Sequence, residues 1–294
     1  MKYAWIRQHR DLFSVTAQCE VLEVSPSGYY AWVDRPESPR TQRHARIQQA
    51  VRQVHAPSHG IYGRRKMAIS LRDQPELEAA CRNTVSQAMR KLGLKSRLVR
   101  RFAPTTTQAD PTRVPAPNVL APDFTATAPH RKWVTDITYL ATTQGWVYLS
   151  VVLDLFSRKV VGWAMSPSLA TELVCEALRR AVEARRPAGT DLLHHSDRGC
   201  QYTSHDDQQT LQTLGIQCSM SRTGCGYDNA VMERFFWSLK YEWTNHEEFV
   251  ELEDARHRVF RSIETFDNRQ RLHQTLDYLS PDQFEADNAP ASAA

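Results

Sequence analysis

The 294-residue chain lacks any CxxC pair: Cys19, Cys81, Cys175, Cys200, Cys218 and Cys225 are scattered singly. That scatter argues against a disulfide framework, and a cytoplasmic protein with reduced thiols is expected. Long apolar runs are missing too. The longest, "WVYLSVVLDLF", is too short for a bilayer and carries Asp154, while "MKYAWIRQHRDLF" meets Arg and His before any apolar run develops. Neither a membrane span nor a secretion signal is expected. Acids are scarce in one stretch. Between Arg40 and Arg101 fifteen Arg and Lys stand against three acids, a net +12 in a chain whose total is +4, so the rest carries −8. A basic block beside an acidic remainder points to a polyanion grip joined to something that holds cations.

What is present divides the chain. Residues 1–35 hold "LFSVTAQCEVLEVSPSGYYAWV", two short helical patterns broken at Val24–Ser25, with Ser25 fit to cap the second and Pro26 to open it. This segment is helix-turn-helix-like. Residues 40–102 hold three more helical patterns. In the last, Asn83 or Thr84 can cap, and Val85, Ala88, Met89 and Leu92 recur at helical spacing. Arg64, Arg65, Lys66, Arg90, Lys91, Lys95, Arg97, Arg100 and Arg101 make this unit the candidate DNA-binding domain. Residues 103–130 contain six of the fifteen prolines and read as an extended linker.

From 131 to 245 the pattern becomes α/β. "KWVTDITYL", "GWVYLSVVLDLF" and "RKVVGWAM" predict an antiparallel meander, "TELVCEALRRAVEARR" a helix, "DLLHHSD" a fourth strand, "IQCSM" a short fifth, and helices are predicted near 204–214 and after residue 230. The result is a mixed sheet with helices. Residues 246–294 read as a C-terminal helical region and tail.

Three acids fall at element ends: Asp136 in the first strand, Asp197 just past the fourth, and Glu233 in the last helix of the unit. An acid beyond the carboxyl end of an apolar strand sits where ligands enter open α/β sheets. Carboxylates held close repel unless protonated or bridged by divalent cations, and hard oxygen ligands without paired Cys or His predict Mg²⁺ or Mn²⁺. Two such ions about 3.5–4 Å apart clamp the attacking and leaving oxygens of a phosphodiester. In the last helix Met232, Phe235, Phe236, Leu239 and Trp243 form one apolar stripe. Seven residues make about 700°, so Glu233 and Lys240 share the adjoining face. Lys240 and Arg198 join the candidate DNA contacts, and Gln201 is a weaker one. Asp154 fits a turn better than a metal site, and Asp228 and Asn229 fit helix caps. His194 and His195 flank Asp197 in the strand. No role for Arg271 or His273 follows from the sequence.

"WVTDITYL", "LDLFSRKVVGW", "HHSDRGCQYTS", "SMSRTGCGYDNAVMERFFWSLKYE" and "FDNRQRLHQTLDYLSPDQFE" resemble the second-frame (OrfB-type) transposases of bacterial insertion sequences, the family numbered three, whose catalytic domain is similar to retroviral integrase. "LEVSPSGYYAW" and "HGIYGRRKM" extend the resemblance to the N-terminal helices. It implies a ribonuclease-H-like, integrase-type fold and a catalytic and metal-binding DDE triad at Asp136, Asp197 and Glu233. It also implies a basic residue seven after the Glu, matched by Lys240, and Mg²⁺-dependent cleavage and strand transfer at element ends. The implied partners are the terminal inverted repeats and target DNA, further copies of the chain, and an upstream-frame (OrfA) fusion partner. The integrase zinc module is not expected: His55 and His59 are spaced for it, but Cys81 stands alone. The competing readings are a DNA-binding repressor derived from a transposase and a stand-alone ribonuclease-H-like nuclease.

Overall fold

The computed structural model describes residues 1–72, 74, 77, 80–97, 115–187, 191–222 and 226–289. Three short helices open the chain: α1 (Lys2–His9), α2 (Val15–Val21) and α3 (Pro26–Val33). Ile6, Cys19 and Tyr29 make their small core. Ser14 and Ser25 each accept a backbone N–H three residues on, from Ala17 and Gly28, and Pro26 fills the first turn of α3 as its missing N–H allows.

A second helical unit follows: α4 (Pro39–His55), α5 (Arg64–Ser70) and α6 (Arg82–Lys91). Ile47, Val51, Met67, Leu71, Val85 and Met89 turn inward and hold it together. The entry to α6 differs from expectation. Cys81 occupies the cap position, and the Thr84 hydroxyl pairs with its Sγ at 3.3 Å instead of capping a backbone N–H.

The meander is present as β1 (Lys132–Thr142), β2 (Gly145–Asp154) and β3 (Val160–Ser166), followed by α7 (Thr171–Arg185), β4 (Leu193–Ser196), α8 (His205–Thr213), β5 (Gln217–Met220) and α9 (Ala230–Ser238). The five strands run in the order β3-β2-β1-β4-β5. β4 pairs in parallel with β1 and β5 in parallel with β4, while β2 runs antiparallel to both of its neighbours, β1 and β3, so the sheet is mixed. Trp133, Val152 and Val161 face α7, while Val134, Leu140 and Val151 face α9, so both sheet faces are covered, as near-continuous apolar strands require. Gly162 lets α7 approach closely: a Cβ there would stand 2.4 Å from the carbonyl oxygen of Ala177.

The apolar stripe of α9 divides. Met232, Phe235, Phe236 and Leu239 pack on the sheet, but Trp243 packs into the core of the second helical unit with Phe266. The cause is local: the chain leaves α9 through a π-helical segment, Leu239–Trp243. A π turn advances each residue by less angle than an α turn, so the last member of the stripe lags behind the face set by the others. The C-terminal region repeats the device. α10 (Leu252–Phe260) continues into a π-helical stretch, Arg261–Asp267, and α11 (Pro281–Asp287) closes the chain behind a Ser280–Gln283 capping box. Residues 115–130 carry no helix or strand, yet they are fastened to the core by buried Leu120 and by the Val119 and Leu120 N–H groups, both donated to Ser219 Oγ. Among the described residues no helix is long and apolar enough to cross a membrane.

Candidate active site

Strand register brings the first two acids together. β1 and β4 pair in parallel with Trp133 opposite His194 and Val134 opposite His195. Two residues further along the same register place Asp136 beside Asp197, which lies one residue past the end of β4. α9 then carries Glu233 into the same space. Asp136 responds to all of this: its carboxyl is pushed up to about 8, first by burial, then by the charges of Asp197 and Glu233, while Lys240 pulls it down. The Ile137 N–H donates to Asp136 Oδ1 at 2.8 Å, and the Gly199 N–H to Asp197 Oδ1 at 2.9 Å, so both carboxylates are aimed by backbone. Glu233 is the exposed member.

Lys240 is half-buried, with its Nζ 4.2 Å from the centre of the Tyr139 ring, and burial lowers its pKa while Asp136 raises it. Four of the residues singled out by the sequence therefore share one electrostatic field. The donor set is carboxylate oxygen, which suits a hard divalent cation, and a carboxyl that holds its proton to about pH 8 for want of counter-charge is a place such a cation would fill. Among the described residues no three His, Cys, Asp or Glu side chains stand close enough to hold a metal ion, so the acids share a field and not a closed cage.

Other residues settle differently. Asp154 is a turn carboxylate, fully buried, accepting from the His130 and Phe156 N–H groups and from Trp133 Nε1. Asp228 and Asn229 do not cap α9. Asp228 is buried and accepts from Asn118 Nδ2, from the Arg222 N–H and from its guanidinium, which ties Asn118 and Arg222 to the turn Gly226–Asn229 ahead of α9. Asn229 occupies the cap position without a capping bond; its amide donates to the carbonyl of Thr135, tying α9 to the strand next to Asp136. His195 bridges Ser219 Oγ and Ser221 Oγ, and burial presses both His194 and His195 down to about 4, so both are neutral supports. Arg198 donates to the Ser221 carbonyl at 2.6 Å, and Gln201 to that of Leu169.

Arg64, Arg65, Arg90, Lys91, Lys95 and Arg97 are exposed on the second helical unit. Lys66 is not among them: it is half-buried over the Tyr62 ring, and Arg271, Glu242 and Asp267 act on it. Arg100 and Arg101 lie outside the described residues. His55 bonds to the Lys95 carbonyl, and His59 packs edge-on against Trp243 and Phe266, so both are built into the fold. Sequence reading missed Tyr139 under Lys240, and Tyr202, whose hydroxyl is 3.2 Å from Thr135 Oγ1 beneath the site. Strand alternation set Tyr139 on the face opposite Asp136, and no local spacing signals either contact.

Known families match both the sheet and the second helical unit. A family model described as "Integrase core domain" matches residues 126–225, a second with the same description matches 214–281, and "HTH-like domain" matches 42–102. An integrase-type, ribonuclease-H-like sheet with acids at its strand ends, behind helix-turn-helix-like helices, defines a polynucleotidyl transferase. Transposase InsF for insertion sequence IS3A of Escherichia coli (strain K12) is 41% identical over 98% of this chain and 99% of its own. The IS600 uncharacterized 31 kDa protein of Shigella sonnei is 37% identical over 90% of this chain and 96% of its own. The chain belongs to the IS3 family of insertion-sequence transposases. Among solved structures, the HTLV-2 integrase catalytic core domain in complex with magnesium aligns with a TM-score of 0.42 at 16% identity, over 54% of this chain and 98% of that one.

Proposed function

We propose that this transposase cuts DNA at the ends of its insertion sequence and joins the freed 3′-hydroxyl to a target phosphodiester, with Asp136, Asp197 and Glu233 as the catalytic carboxylates. The observation that supports it most is the strand register that sets Asp136 level with Asp197, together with the charges of Asp197 and Glu233, which both act on the buried Asp136 carboxyl. These three would hold Mg²⁺, or Mn²⁺ in its place. When bound, the metal supplies positive charge to the reacting phosphodiester oxygens.

The chain's own groups do the rest. Backbone N–H groups of Ile137 and Gly199 keep the two strand carboxylates oriented, so one ligand geometry is prepared before DNA arrives. Asn229 ties α9 to β1, which fixes the helix that carries Glu233. Lys240, steadied on Tyr139, meets the DNA phosphate beside the reacting one. Arg64, Arg65, Arg90, Lys91, Lys95 and Arg97, with Arg198 nearer the site, contact the backbone of the terminal inverted repeats. Two element ends must meet in one event, so the working form is a multimer on DNA, with or without the upstream-frame product fused to it.

The test is incubation of the chain, alone and fused to its upstream frame, with labelled element ends, target DNA and Mg²⁺. Asp136→Asn and Asp197→Asn abolish cleavage and joining while end binding survives. Tight end binding by an unaltered chain that never cuts, with or without the fusion, would turn the reading to a repressor.

A further inference from the structure

A cavity of about 520 Å³ opens between the second helical unit and the catalytic sheet. Lys66 from α5, Arg158 from the β2–β3 turn, Arg234 from α9, and Arg271 contribute four cations to its wall, against one lining acid, Asp267. Arg271 is already matched, with Glu242 at 2.5 Å and Asp267 at 3.4 Å. The other three have no carboxylate within ion-pair distance among the described residues. Arg158 donates one nitrogen to the Phe124 carbonyl, while its Nη1 is buried with no hydrogen-bond partner. Arg234 lies over the Trp237 ring, its centre 4.5 Å away. Clustered, partly desolvated cations are costly until an anion joins them. The volume is that of a small-ligand site, and Val231 and Leu272 give it an apolar floor.

We propose that this cleft binds a phosphodiester segment of a DNA strand, gripped by Arg158, Arg234 and Lys66. The site differs from the catalytic one. Ala230, Val231, Arg234, Phe235 and Ser238 of α9 line the cleft. At about 100° per residue Glu233 points to the other side of that helix, so α9 separates the strand in the cleft from the chemistry. The inference rests on the transposase acting on DNA and adds a second strand path to it. An anion in the cleft would favour the charged form of Lys66: burial, then Arg271, with a smaller push from Arg234, lower it to about 7 against the pull of Glu242 and Asp267, with Tyr62 and His273 the other groups facing it.

The experiment uses the full chain and labelled duplex and single-stranded oligonucleotides, with affinity measured against salt. Arg234→Ala, at an exposed position that leaves the fold intact, and Arg158→Ala should each lower the slope of log affinity against log salt by about one. In the same series Lys66→Gln should remove any loss of affinity as pH rises above about 7, because the proton that strengthens the grip is then gone. Unchanged slopes in both Arg variants, on a wild-type chain that binds DNA, would overturn this inference and leave the catalytic reading standing. A deoxynucleoside monophosphate that raises the melting temperature of wild type but not of Arg158→Ala, with the DNA slopes unchanged, would assign the cleft to a free nucleotide and overturn it as well. Absence of DNA binding by the wild-type chain and its fusion would instead count against the transposase reading.

Discussion

Asp207 shows how single residues in this domain pull on stability. It is buried with Oδ1 unbonded, and burial alone pushes its carboxyl from 3.8 to about 7. The folded chain therefore binds a proton that the unfolded chain has released, so stability falls as pH rises from about 4 and the loss is complete once pH passes about 7. Asp207→Asn has no such proton to lose. Denaturant titrations at pH 5 and pH 8 should show the Asn variant gaining on wild type at the higher pH, by no more than about 1.4 kcal/mol per pH unit. His194 has the opposite sign. Its pKa is lowered from 6.5 to about 4, so its contribution is present above 6.5 and is lost as pH falls through 4. At this scale the sequence was most legible where chemistry marks a residue by position. Asp136, Asp197 and Glu233 stood out because each is an acid set in or just past an apolar element: Asp136 within β1, Asp197 one residue beyond β4 and Glu233 in α9. Tyr139, Tyr202 and the Asn229–Thr135 bond were not legible, because each joins residues far apart in sequence and none disturbs a local pattern.

Among the elements, α7 and β3 approach closely at Gly162. A Cβ on Gly162 would lie 2.4 Å from Ala177 O, 2.6 Å from Ala181 N and 2.7 Å from Ala181 Cβ, and backbone cannot swing aside as a flexible side chain does. Gly162→Ala should therefore cost about 1–3 kcal/mol through overpacking, read as a lower urea midpoint with the slope unchanged. The strands and helices of the core were readable because their periods of 2 and 3.6 are strong and Ser caps mark several starts. The π-helical exits after α9 and α10 were not, since an inserted residue leaves the apolar spacing looking like a longer α-helix. The spacing groups Trp243 with the rest of the α9 stripe for that reason, and the π turn sends it to the neighbouring unit.

In the molecule as a whole, the basic helical unit and the C-terminal region are locked together. Trp243 and Phe266 enter the core of the helical unit, and the Tyr62 hydroxyl donates to the Gln270 carbonyl at 2.9 Å and accepts from the Leu272 N–H at 3.0 Å. Tyr62→Phe removes both hydrogen bonds from this part-buried junction and should cost about 0.5–1.5 kcal/mol, with faster proteolysis between the helical unit and the sheet as its signature. Arg271 and His273, which carried no meaning in the sequence, lie at this junction with Asp267 and Glu242. Asp267 stands only four residues before Arg271, but Glu242 comes from another element, so the junction is invisible in one dimension. That three carboxylates from separate elements form one catalytic site is tested best at Glu233, because it is exposed and its loss leaves the core packed. The measurement is strand joining of labelled element ends in Mg²⁺ by Glu233→Gln beside wild type, with end binding followed in the same samples. Joining should disappear while binding is kept; joining by Glu233→Gln at the wild-type rate would contradict a three-carboxylate site.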